Sequence, residues 1–114
     1  MSTLFIFSDD IMTLKLKLKT RRYGNEISWT FGRECASNGG YEDESTYIEK
    51  CKVRPGVYTL ECKDSYGDGW NGGYLEIQGI KYCEKFQCPF HNSNCRNERQ
   101  KVAKVTILPS YLWG

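Results

Sequence analysis

The stretch Asp64-Ser65-Tyr66-Gly67-Asp68-Gly69-Trp70-Asn71-Gly72-Gly73 places four of the chain's eleven glycines, two carboxylates, an amide and a tryptophan within ten residues. Glycine admits backbone with φ > 0 and close approach of neighbouring chain, while Asp and Asn tolerate the same region and bond nearby amides. Such a composition describes a tight, structured loop and not a linker. Strand-forming residues flank it, Val57 to Lys63 before and Tyr74 to Gln78 after. The loop is therefore expected to join two strands at one rim of a sheet.

Its oxygens suggest a use. Asp64, Asp68 and Asn71, with the loop carbonyls, are hard ligands of the kind Ca²⁺ takes, so a calcium site is one expectation. An EF-hand is excluded, because Tyr66 stands where the second acidic ligand belongs and Leu75 where the bidentate Glu belongs. The competing expectation is that the two Asp side chains cap turn amides while Trp70 folds back as an apolar plug. Tyr66, Trp70 and Tyr74 beside these polar groups form a mixture that stacks on sugar rings and bonds their hydroxyls. The exposure of Trp70 separates the two: a buried ring only shapes the end of the fold.

Three segments together carry a resemblance. Gly24-Asn25-Glu26-Ile27-Ser28-Trp29, Pro55-Gly56-Val57-Tyr58-Thr59-Leu60 and Asp64 to Gly72 resemble an extracellular β-sandwich module that recurs in secreted and surface proteins of bacteria, protists and algae. The likeness spans roughly residues 12 to 80, and the D-S-Y-G-D-G-W-N-G run is its specific part. It implies a jelly-roll-like domain of exported proteins and carries over no catalytic residues.

Outward from the loop the pattern is that of strands. Thr13 to Lys19 alternates strictly, with Leu14, Leu16 and Leu18 on one face and lysines on the other, and Arg21 and Arg22 follow. The basic stripe reads either as a contact for acidic groups or as the solvated face of an edge strand guarded by lysines. Glu26 to Arg33 alternates with Ile27, Trp29 and Phe31 on one side. Cys35 to Ser45 is polar and glycine-bearing and reads as an exposed loop, whose Glu42-Asp43-Glu44 run is expected to be solvated. Thr46 to Val53 and Val57 to Lys63 flank Arg54-Pro55-Gly56, the signature of a type II turn, and are expected to pair as a hairpin. Leu75 and Ile77 point inward, and Ile80 to Cys83 continues the sheet. Lys101 to Leu108 alternates again and is expected to close the fold beside the first strand. The reading is all-β: one antiparallel β-sandwich, jelly-roll-like and stapled by disulfides. Residues 1–11 form an N-terminal extension, 12–108 the sandwich with a cysteine-rich loop at 84–100, and 109–114 an aromatic tail.

Length and composition agree. A chain of 114 residues builds one domain, and eight Tyr and three Trp suit a β-rich fold. A net charge of +2 from 16 basic and 14 acidic residues gives no argument for nucleic acid. Cys35, Cys51, Cys62, Cys83, Cys88 and Cys95 are an even set in a small loop-rich domain, which points to disulfides and an oxidising compartment. Cys35 with Cys51, Cys62 with Cys83 and Cys88 with Cys95 are plausible pairs, but spacing does not choose among the connectivities. A zinc site from Cys83, Cys88, His91 and Cys95 competes, without the paired C-x₂-C spacing zinc modules use. Met1 to Phe7 lacks the basic region and length of a signal peptide. A virion protein oxidised during assembly and a secreted chain with its leader removed both fit. No apolar run is long enough to span a membrane.

Catalysis finds no support in the residue types. His91 has no nucleophile motif beside it, and two acids in one tight loop share a cation or turn amides more readily than they form a glycosidase pair. The expected function is that of a non-enzymatic structural or adhesive module of an extracellular, cell-surface or virion assembly, in contact with protein subunits or its own copies. A calcium-dependent, lectin-like module that binds polysaccharide is the alternative.

Overall fold

Alternation of apolar and polar residues marks most of the eight strands found among the described residues. In a computed structural model, residues 11–65, 69–84, 86 and 100–113 are described. The strands are β1 (Met12–Lys19), β2 (Ile27–Phe31), β3 (Cys35–Ala36), β4 (Thr46–Val53), β5 (Gly56–Asp64), β6 (Tyr74–Ile77), β7 (Ile80–Tyr82) and β8 (Gln100–Ile107). They form two antiparallel four-stranded sheets, ordered β4-β1-β6-β7 and β3-β2-β5-β8. The nested pairing of β1 with β6 and of β2 with β5 wraps the chain in the manner of a jelly roll, so the predicted sandwich is present. Leu14, Leu16 and Leu18 from one sheet meet Ile27, Trp29, Phe31 and Leu60 from the other, all buried. Burial of such side chains stabilises by about 1.5–3 kcal/mol each before chain entropy is charged against it.

Two expectations about pairing are corrected. β4 and β5 do not form a hairpin: β4 pairs with β1, and β5 pairs with β2 and β8. Both strands carry an apolar inner face, Cys51 and Val53 on β4 and Leu60 and Cys62 on β5. They lie in opposite layers, each turning that face to the shared core, and the corner at Arg54-Pro55 carries the chain between sheets. The Tyr58 hydroxyl braces that corner by donating to the Arg54 carbonyl at 2.6 Å. Nor does β8 lie beside β1. Both edges of β1 are taken, by β4 and β6, and β8 pairs instead along the free edge of β5. β1 is accordingly a central strand, so its lysines do not guard an edge.

Among the described residues the disulfides are Cys35–Cys51 and Cys62–Cys83, with Cα–Cα distances of 6.0 and 6.5 Å. Each joins the two sheets. The first ties the edge strands β3 and β4, the second ties β5 to the residue after β7. Cys83 is thus a disulfide partner and not a zinc ligand. Cys88, His91 and Cys95 lie outside the described residues, as does the stretch Met1 to Phe7. Among the described residues no helix is long and apolar enough to cross a membrane. After β8 a single helical turn, α1 (Ser110–Trp113), leaves Tyr111 and Leu112 largely exposed.

Candidate functional site

The glycine loop leaves β5 at Asp64 and enters β6 at Tyr74. Asp64 is the last inward-facing residue of β5, 2 % exposed, and its Oδ2 accepts the Gly69 backbone N–H at 2.7 Å. A carboxylate is buried at tolerable cost when it accepts such bonds. Asn71 bonds the next peptide. It holds φ 55°, a conformation asparagine tolerates, and its Nδ2 donates to the Gly69 carbonyl at 3.4 Å. Asp64 and Asn71 therefore hold Gly69 through its two flanking peptides, and Asp64 caps a turn amide as the competing expectation has it. Gly73 is fixed by close approach: a Cβ there would stand 2.7 Å from the Lys19 carbonyl oxygen, so no other residue fits without moving β1.

Trp70 is fully buried. Its indole N–H donates to the Lys63 carbonyl at 2.8 Å, its backbone N–H donates to the Phe86 carbonyl, and its ring centroid lies 6.5 Å from that of Phe86. The ring that was expected to stack on sugar is thus a plug between the loop and the sandwich, because its one polar atom finds a partner inside. Tyr74 is half-buried on the outer face of the first sheet, opposite Lys19, with the Lys81 ammonium 4.5 Å above its ring. It does not share a surface with Trp70. Tyr66 and Asp68 lie outside the described residues. Among the described residues no cluster of three His, Cys, Asp or Glu side chains could hold a metal.

The run Glu42-Asp43-Glu44 has structural work. Asp43 Oδ1 accepts the Gly24 amide at 2.8 Å, Glu44 pairs with Arg21 at 3.6 Å, and the buried Thr20 hydroxyl donates to the Glu42 carbonyl at 2.6 Å. Tyr41, in the segment expected to be an exposed loop, is a core residue.

A site missed in the sequence lies on the side of the sandwich where β3 and β4 face each other. A cleft of about 680 Å³ there is lined by Trp29, Glu34, Asn38, Tyr47, Glu49 and Lys50, among others. Glu49 faces inward in register with Leu16 and accepts the Tyr41 hydroxyl at 2.8 and 3.0 Å and the Asn38 amide at 3.4 Å. Burial first, and the Glu49 carboxylate second, push the Tyr41 hydroxyl from its usual 10.0 up to about 12. An acid at an inward position of the alternation Tyr47, Glu49, Cys51, Val53 was the visible signal. Because the folded state keeps the Tyr41 proton where the unfolded chain has lost it, stability is complete below pH 10 and falls as pH rises towards 12. Alkaline denaturation followed by circular dichroism should show that decline, and Tyr41→Phe should blunt it.

Comparison of the chain with protein-family models, with curated proteins and with solved structures finds no match.

Proposed function

We propose that the protein is a non-enzymatic structural or adhesive module of an extracellular, cell-surface or virion assembly, acting through protein–protein contact. The observation that carries this reading is the apolar end of the sandwich. Register places the start of β1, the β4–β5 corner, the β6–β7 turn and the end of β8 at the end remote from the glycine loop. There Ile11, Val57, Ile80, Leu108, Tyr111 and Leu112 are each between 42 % and 65 % exposed. Gln78 knits two of these segments by donating to the Leu108 carbonyl and accepting its amide, both at 3.0 Å. Exposed apolar residues gathered on a firm support mark surfaces that other proteins cover.

Two further features support it. Both described disulfides cross between sheets, which suits a domain that meets an oxidising exterior. Two partly or fully buried acids are occupied in holding the fold, Asp64 of the glycine loop on the Gly69 amide and Glu49 of the cleft on Tyr41. The resemblance of the D-S-Y-G-D-G-W-N-G run to exported sandwich modules points the same way. A calcium-dependent, lectin-like role draws no such support, since the Trp70 ring it would use is inside.

The test is self-association. Light scattering across a concentration series should show assembly, and Leu108→Ser with Leu112→Ser should abolish it while leaving the melting temperature within a few degrees. A wild-type monomer at every concentration, unchanged by the substitutions, would contradict the reading.

A further inference from the structure

The outer face of the first sheet gathers lysines from three strands. β1 contributes Lys15, Lys17 and Lys19; β4, in register beside it, adds Lys50 opposite Lys15 and Lys52 opposite Thr13; β7 adds Lys81. A carboxylate shares this face, Glu76 on β6, between Lys17 and Lys81. Lys81 already has company, with Glu84 at 3.9 Å and the Tyr74 ring. Among the described residues the other five lysines take part in no ion pair.

Two features set this face apart from an ordinary solvated one. Lysines on an edge strand prevent edge-to-edge aggregation, which accounts for Lys50 and Lys52, but β1 lies between β4 and β6 and has no edge to protect. Lys15 and Lys50 also stand directly opposite one another, an arrangement of like charges that destabilises a sheet. The second sheet differs: its outer face carries Ser28, Thr30, Val57, Thr59, Val102 and Thr106 with only scattered charge.

We propose that the lysine face of the first sheet is a binding surface for a sulfated polysaccharide. Ammonium groups repeat every second residue along β1, about 6.6 Å apart, and recur on the next strand about 4.8 Å away. Such a lattice suits a linear chain with dense, permanent negative charge. Disulfides suit a domain that meets an oxidising exterior, where sulfated glycans are found. The charged groups are lysines, point charges on flexible stems, without the arginine forks favoured for phosphate and base recognition. A groove of about 380 Å³ lined by Lys15, Lys17, Glu76 and Gln78 gives the chain a track along β1. The lysine face adjoins the apolar end at Gln78, but different side chains carry the two surfaces, so either can fail without the other.

Heparin serves as the probe. The oxidised protein should bind it at low salt, with log affinity falling linearly against log salt as counterions are released. The variant Lys15→Gln, Lys17→Gln, Lys50→Gln should reduce that slope by about 2–3, on the scale known for polyanions of DNA-like charge density. Its melting temperature should hold or rise, because the opposed lysines are gone. The same number of changes on the other sheet, Lys63→Gln, Lys101→Gln, Lys104→Gln, should leave heparin binding near wild type. Equal loss from the two triple variants would reduce the effect to net charge and overturn the proposal. So would absence of binding, or binding to single-stranded DNA or polygalacturonate as tight as to heparin.

Discussion

Trp70→Ala should destabilise the protein by about 3–5 kcal/mol, the cost of emptying a large buried aromatic site. The ring is fully buried, so its removal leaves a cavity under the loop. Its loss also strands the Lys63 carbonyl that receives the indole N–H at 2.8 Å, which adds to the cost. Against a total stability of about 5–15 kcal/mol for a domain, the variant would be partly or wholly unfolded. Trp70→Phe keeps most of the apolar volume and loses the N–H, so the gap between the two variants in urea melts isolates the hydrogen bond. A loss below about 1 kcal/mol for Trp70→Ala would mean that the ring is not a plug.

The second large effect concerns the staples. Cys35–Cys51 and Cys62–Cys83 close loops with sequence separations of 16 and 21, for which loss of unfolded-chain entropy gives about 3 kcal/mol each. Cys62→Ala with Cys83→Ala should therefore lower the melting temperature by on the order of 10 °C. Removing both bridges should cost about 6 kcal/mol if the two act independently, enough to unfold a domain of ordinary stability. Order of reduction is a separate check. Cys62 and Cys83 are buried, whereas Cys35 is only partly so, so dithiothreitol under native conditions should open Cys35–Cys51 first. Preferential opening of Cys62–Cys83 would show that the β5–β7 region opens more readily than its packing implies.

What was legible in the sequence was written in alternation. Leu14, Leu16 and Leu18, and Ile27, Trp29 and Phe31, declare their inner face because side chains point to opposite sides at every step. Partners are not written that way. Arg54-Pro55-Gly56 looks the same whether it joins neighbours in a sheet or crosses between sheets, the apolar faces of β4 and β5 fit either, and only the pairing of β4 with β1 and of β5 with β2 and β8 decides for crossing. The two disulfides found were among the pairs that spacing allowed, because strands two layers apart bring those cysteines together. Trp70 was ambiguous for a physical reason: an indole beside Asp and Asn suits a sugar and a plug equally. The carbonyl of Lys63, seven residues earlier in the chain, resolves it. The lysines of β1 were plain to read, but their company on β4 depended on register. Tyr41 and Glu49 came together through a loop whose polarity suggested nothing buried.

On this reading Asp64 and Trp70 hold the glycine loop to the sandwich from within, and contact falls to the outer surfaces. Hydrogen exchange at the Trp70 indole N–H and the Gly69 amide, followed by NMR in chelator and again with calcium, tests it most directly. Protection close to that of the core strands, and the same in both conditions, is the predicted result. Fast exchange in chelator that slows when calcium is added would contradict the account, because the loop would then be organised by a metal and not by Asp64 and Trp70.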